Sequence, residues 1–382
     1  MAKSQALGIM GIEAVHFFVN TLERARTFWI DQMDLGWIAE SSEASVAQTG
    51  VRTIALRAGN ATYLCSESAA ARSPVERFLA RHPDGVSELI FRVADVEKTY
   101  RTLVERGATP VVDIQRTEGD GGSLAWFSIS TAFGDVLFTF QQRDGYRPIV
   151  PGLVTFEDPK GGRNRFGFAE IDHITSNFMT LQPMVLWCKE VMGFEEYWGI
   201  QFHTEDVSPN RTSGSGLKSV VLWDPHSGVK FANNEPMKPY FDRSQIYTFV
   251  EDNHGPGVQH TALTVRDIMA AVPDMRSRNV SFMPTPRSYY ELLPARLSES
   301  AIQIDESMDS LSEREILVDG EGPGKYMLQI FCKDFAALFG NKNAGPFFLE
   351  VIQRKGDRGF GGGNFRALFE SIEREQQAQG RI

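Results

Sequence analysis

Cysteine is scarce in this chain, and its few thiols form no pattern. Cys65, Cys188 and Cys332 lie far apart with no Cys-x-x-Cys pair, so neither a disulfide scaffold nor a zinc ribbon is expected, and free thiols in a reducing compartment are. No stretch of about 18 apolar residues occurs, so no helical membrane span is expected. The opening MAKSQALGIMGIEAVHFF lacks a basic region followed by an apolar run and a small-residue cleavage site, which makes the cytoplasm the default location. Long blocks of single-sign charge are also missing. With 39 basic and 49 acidic residues the net charge is −10, which argues against nucleic acid as the main partner. The glycine run GFGGGNF (359–365) lacks the βαβ setting of a dinucleotide fingerprint.

What is present is a globular composition, 42% hydrophobic and 23% charged over 382 residues. That length exceeds one ordinary core and predicts two domains of about 150–200 residues. An internal repeat fixes the plan. The first half opens with a strand (12–19), a helix (22–37) and strands near 45–56 and 61–65. A second unit over 85–112, closed by strands at 123–130 and 135–143, repeats it. Between 146 and 167 three prolines and four glycines interrupt the pattern and predict a linker. The plan then restarts: 171–194 lays over 14–37, 257–282 over the segment from Gly85, and 346–356 over 135–145. The predicted architecture is α+β, a β-α-β-β-β module used four times, two per domain. The expected boundaries are 8–150, a linker at 151–167, a second domain at 168–359 and a C-terminal helix within 360–382.

One short strand, FFLEVIQR (347–354), carries the functional signal. Alternation puts Phe348, Glu350 and Ile352 on one face and Phe347, Leu349 and Val351 on the other. Glu350 is therefore a carboxylate in a strand apolar on both sides. An ionised carboxylate buried without a partner is very costly, and a metal is a candidate partner. His173 in AEIDHITSNF and His260 in GPGVQHTALTV stand in two other strand-like segments. Two imidazoles and one carboxylate are the ligand set of a non-heme Fe(II) oxygenase site. Each histidine alone is equally well explained as a hydrogen-bonded core residue. In the repeat overlay His173 falls on His16, His260 on Glu88 and Glu350 on Thr139. A full ligand set thus exists only in the second half, and His16 is expected to be structural. His82, His203, His226 and His254 lie in polar or Gly/Pro-rich surroundings and are expected to be exposed.

In these contexts the chain resembles the 4-hydroxyphenylpyruvate dioxygenases of the vicinal-oxygen-chelate (glyoxalase/bleomycin resistance) superfamily. The match is weak before about residue 165 and strong after it, through GVQHTAL, SYYELL, YMLQIF, FLEVIQR and GFGGGNFRALFESIEREQ. The resemblance implies two open-barrel domains, only the second with a metal, and a C-terminal gating helix. It implies Fe(II) held by His173, His260 and Glu350, with 4-hydroxyphenylpyruvate and O2 as substrates. The 2-oxo acid would chelate the iron, CO2 would leave, and ring hydroxylation with side-chain migration would give homogentisate. A homo-oligomer, dimer or tetramer, is implied as well.

The resemblance also assigns the pocket. Ser219, Asn234, Gln245 and Gln259 match positions that hydrogen-bond the substrate or order its surroundings. Gln329 matches a residue beside the iron and Phe331 an aromatic wall. Phe360, Asn364 and Phe365 match the approach to the gating helix. Because neighbours on a regular strand face opposite ways, Gln259 and His260 share one pocket only if the strand twists or bulges. Phe365, Leu368, Phe369 and Ile372 follow amphipathic helical spacing, which packing against the barrel also explains. Two departures stand out: Ala232 and Asn233 replace the Pro and aliphatic residue found before Asn-Glu-Pro in many members, and GNKNAGP (340–346) replaces an Arg-Pro-Thr wording. The first lies near Asn234 and bears on substrate and product identity. Three readings remain open: the homogentisate-forming dioxygenase, a 4-hydroxymandelate synthase using the same iron and substrate, and a non-catalytic small-molecule-binding protein.

Overall fold

The protein is described here by a computed structural model covering residues 2–119, 121–203, 216–237, 241 and 244–364. It is an α+β fold of two curled, open half-barrels. The first sheet contains β1 (Ile9–Phe18), β2 (Gly36–Ser41), β3 (Val51–Ala58), β4 (Ala61–Ser68), β5 (Gly85–Val93), β6 (Pro110–Gly119), β7 (Gly122–Ile129), β8 (Leu137–Asp144) and β9 (Leu153–Gly161). The second contains β10 (Phe168–Asn177), β11 (Glu195–His203), β12 (Gly216–Trp223), β13 (Lys230–Pro236), β14 (Gly257–Val265), β15 (Leu317–Gly322), β16 (Lys325–Phe331) and β17 (Phe348–Lys355). The strand orders are β6-β7-β8-β5-β1-β4-β3-β2-β9 and β11-β12-β13-β10-β14-β17-β16-β15. Without β9, the second order is the first read from its other end. The repeat seen in the sequence is therefore a repeat of topology.

Local chemistry places the helices that follow β1 and β10. Thr21 accepts from the Glu23 amide and starts a helix at Leu22–Arg26, which widens into a π-type turn over Thr27–Gln32. The same widening recurs after Gln182–Trp187, over Cys188–Met192. The first helix ends earlier than its pattern suggested, because Trp37 already belongs to β2. The strand expected from Ser45 begins only at Val51. Ser42 accepts from the Ser45 amide and caps a short helix, Glu43–Thr49.

The segment 151–167, expected as a linker, instead supplies β9, which pairs antiparallel with β2 from Ser41–Leu153 to Gly36–Gly161. Its glycines serve close approach. A Cβ on Gly162 would lie 2.2 Å from the Asp34 carbonyl carbon.

The two half-barrels share one hydrophobic core. Phe17 meets Phe347 edge to face at 4.8 Å, Trp29 stacks on Tyr63 at 4.2 Å, and the Tyr63 hydroxyl bonds Thr261 at 2.9 Å. Burying a large apolar side chain of this kind stabilises by roughly 1.5–3 kcal/mol. Phe347, Leu349 and Val351 face that core, while Ile352 joins Ala262 and Met327 in a separate cluster. Among the described residues no helix is long and apolar enough to cross a membrane.

Candidate metal centre

Three adjacent strands of the second sheet aim one ligand each at a common point. β10 carries His173, β14 carries His260 and β17 carries Glu350, and β14 lies between the other two. β14 runs parallel to β17 with Ala262 opposite Glu350. Glu350 Oε2 lies 3.3 Å from His173 Nε2 and 3.4 Å from His260 Nε2. One donor atom from each residue falls within 4.8 Å of the others, and all three side chains are buried. Burial alone would keep Glu350 protonated. The charge and hydrogen bonds of His173 and His260 outweigh it and hold the carboxyl at about 2.

Every other polar atom of the three ligands is already occupied. His173 Nδ1 donates to Asp172 Oδ1 at 2.9 Å, and His260 Nδ1 donates to Gln259 Oε1 at 3.1 Å. With both Nδ1 atoms donating outward, each Nε2 need give up only the proton it shares with Glu350 to turn a lone pair toward a cation. Gln329 Nε2 donates to Glu350 Oε1 at 2.8 Å, leaving Oε2 for the centre. Asp172 is gripped by Arg354 through bonds of 2.6 and 2.8 Å, with Lys230 at 3.6 Å. Burial opposes its ionisation, but Arg354 and His173 hold its carboxyl well below the usual range. Two imidazole lone pairs and one carboxylate oxygen, each oriented from behind, fit a divalent cation with open coordination positions.

The surrounding chain has known relatives. The pattern of the Glyoxalase/Bleomycin resistance protein/Dioxygenase superfamily matches residues 11–166 and 170–293. A 4-hydroxyphenylpyruvate dioxygenase of Dictyostelium discoideum is 32% identical over 97% of this chain and 100% of its own length. Those of Coccidioides posadasii and Caenorhabditis briggsae are 31% and 36% identical, covering 97% and 80% of this chain and 94% and 76% of their own. The chain belongs to the 4-hydroxyphenylpyruvate dioxygenase family. Among solved structures, a triple mutant of 4-hydroxymandelate synthase from Streptomyces coelicolor superposes with a TM-score of 0.80 at 25% identity, covering 97% of this chain and 99% of that one.

The family's expected site residues are largely brought together. Asn234, Gln245, Gln259, Gln329, Phe331, Phe360 and Asn364 line one cavity with the three ligands, and Leu217 joins them. Gln259 reaches it through a bulge. The β10–β14 register runs from Thr175–His260 directly to Ser176–Val258, leaving residue 259 unpaired. Ser219 does not line this cavity. It pairs across from Asn234, buried, with its hydroxyl unpartnered among the described residues. Phe365 and the rest of the expected gating helix lie outside the described residues, which end in helical conformation at 362–364.

Ala232 packs with Val221 and Phe360, while Asn233 bonds the carbonyls of Val220 and Phe231 at 3.2 and 2.8 Å. Sequence reasoning missed Asp172, whose only signal was a carboxylate beside His173 in an apolar strand. It also misjudged His82, which is buried between the halves, bonded to Asp135 at 2.7 Å and to the Asn253 carbonyl at 2.6 Å.

Proposed function

We infer that the chain converts 4-hydroxyphenylpyruvate and O2 to homogentisate and CO2, with Fe(II) held by His173, His260 and Glu350. The observation that carries this reading is the two-histidine, one-carboxylate set buried in a cavity whose remaining polar lining is amide. When bound, Fe(II) would supply redox chemistry toward O2 and an anchor for a 2-oxo acid.

The chain's own residues do the rest. Asp172 and Gln259 hold the imidazoles, and Gln329 holds the carboxylate, so that no ligand reorients during turnover. Phe331 and Phe360 offer flat apolar walls to an aromatic ring. Among the described residues Asn234 Oδ1 has no partner. A buried polar atom left without a partner is costly, and a phenol donating to Asn234, which lines the cavity, would relieve it. Amides suit such a ring because each both donates and accepts.

The cavity is nearly shut, at about 20 Å³, which is close to the room one water needs. Phe360 closes it, 5.0 Å from the His173 ring and stacked on Trp198 at 6.2 Å. Substrate admission therefore requires the Phe360–Asn364 segment to move, and its return would exclude water from the reacting groups. On this reading catalysis belongs to residues 168–359, and the segment from 360 onward is the gate. The three buried, unpaired thiols support a reducing, cytoplasmic setting.

A second product remains in view because one structural neighbour is a 4-hydroxymandelate synthase and small Ala232 lies beneath Phe360. Anaerobic loading with Fe(II), addition of 4-hydroxyphenylpyruvate, admission of O2 and product identification decide between them. Homogentisate is expected. Hydroxymandelate as the main product overturns the assignment in favour of the synthase, and no O2 uptake leaves only a binding protein.

A further inference from the structure

The first half-barrel has a cavity at the place where the second has its metal. The registers of the corresponding strands coincide: Glu88–Leu137 and Ile90–Thr139 in β5–β8 match His260–Phe348 and Ala262–Glu350 in β14–β17. Likewise Ser128–Thr139 in β7–β8 matches Phe331–Glu350 in β16–β17. Here, however, the cavity is large, about 520 Å³, within the range of small-molecule sites.

Its floor is not a metal site. Glu88 Oε2 accepts from His16 Nδ1 at 2.9 Å, and Glu88 Oε1 accepts from the Thr139 hydroxyl. His16 Nε2 bonds Ser66 at 2.7 Å. Both carboxylate oxygens and both ring nitrogens are therefore used. Burial opposes ionisation of Glu88, yet His16 and Thr139 hold its carboxyl below the usual value. Since Thr139 donates to Glu88, Ser128 donates to Thr139 across their 2.6 Å bond. The Ser128 oxygen keeps lone pairs for an outside donor. Gln141, two residues along β8 on the same face, also lines the cavity. It is 1% exposed, and its Nε2 has no partner among the described residues. The floor therefore offers one acceptor and one unsatisfied donor, the complement of a hydroxyl group.

The walls and mouth restrict what else the ligand can be. Phe18 and Phe78 pack edge to face at 5.6 Å, and Trp126 lines the cavity from β7. Arg77, in the helix Pro74–Leu79, and Arg81, just beyond it, are both exposed and line it. The Arg77 guanidinium donates to the Arg72 carbonyl at 2.6 Å and that of Arg81 pairs with Asp135 at 2.9 Å, and each guanidinium has further N–H groups to offer.

We propose that this cavity is a second, metal-free binding site for an aromatic acid bearing a ring hydroxyl, the hydroxyl meeting Gln141 and Ser128 and the carboxylate meeting Arg77 and Arg81. The ring lies among Phe18, Phe78 and Trp126. The assignment goes beyond the catalytic reading and does not depend on it, because none of these residues touches the metal ligands.

The test is calorimetric titration of the metal-free, full-length protein with 4-hydroxyphenylacetate, phenylacetate and 4-methylphenol. Saturable binding of the first is expected, weaker by about 10-fold for each of the other two, as for one lost hydrogen-bonding or charged contact. Gln141→Leu and Trp126→Ala should each weaken 4-hydroxyphenylacetate by about 10-fold or more, whereas His260→Ala should leave that affinity unchanged. Melting temperature shows that each variant is folded, and Ser128→Ala replaces Gln141→Leu if the latter is not. Affinity lost with His260→Ala but kept in the cavity variants overturns the proposal, as does equal affinity for all three probes or no saturable binding.

Discussion

Glu350 is 1% exposed, and among the described residues its polar side-chain partners are two imidazoles and one amide. Glu350→Gln should leave the fold intact, because the new amide oxygen can still accept from Gln329 and its NH2 can donate to one Nε2. Metal affinity should fall about 100-fold or more, since even residues behind a ligand are worth 10–100-fold. Chelator-competition titration checks this, and near-normal metal content would remove Glu350 from the ligand set. Asp172 is predicted to act through His173. Asp172→Asn should cost about 10-fold in metal affinity and Asp172→Ala about 100-fold. Equal, unaltered affinity in both variants would make the Asp172–Arg354 pair purely structural. Glu350 was legible because a lone carboxylate in an apolar strand demands explanation. Asp172 was not, because its partner Arg354 lies 182 residues away and no local pattern pairs them.

The elements that build the site were legible to different degrees. Alternation gave the faces of β17, and the repeat predicted that the second half copies the module plan of the first, as the matching strand orders show. The bulge at Gln259 could be stated only as a condition, because periodicity carries no signal for one extra residue. β9 was missed because the glycines that break its pattern serve approach to Asp34 and Ile30 rather than flexibility. At the end of the described chain, hydrogen bonds join the gate to the centre. Tyr289 donates to Asn364 Oδ1 at 2.8 Å, Asn364 Nδ2 to Gln329 Oε1 at 2.8 Å, and Gln329 to Glu350 at 2.8 Å. Asn364→Ala removes two of these bonds, each worth about 1 kcal/mol, and should raise the open population about 5- to 30-fold. Metal content should hold while O2 consumed per homogentisate formed rises. Unchanged coupling in a folded variant would take Asn364 out of the gate.

At the scale of the whole molecule, Asp34 ties three distant segments together. Its backbone is left-handed, with φ of 60°, at the turn between the first helix and β2. Its carboxylate accepts from the backbone amides of Arg163 and Arg165 at 3.1 and 2.8 Å, beyond β9. It also accepts from the Arg278 guanidinium at 2.5 Å, from the second half of the chain. The side chain is 4% exposed and that of Arg278 24%, so solvent screens this pair less than a surface one. Burial favours the neutral acid, but the Arg165 and Arg163 amides and Arg278 together lower the Asp34 pKa below its ordinary value. A carboxyl whose pKa is lower folded than unfolded contributes stability above its unfolded value of about 3.9 and loses it as pH falls through the folded value. Asp34→Asn should therefore destabilise the protein by about 2 kcal/mol at neutral pH, the scale of hydrogen bonds to a charged group. The difference from wild type should shrink as pH drops below about 4, because the wild-type carboxyl is then itself protonated. Urea denaturation at a series of pH values measures both. A difference that stays constant into the acid range would show that the Asp34 charge does not join the halves.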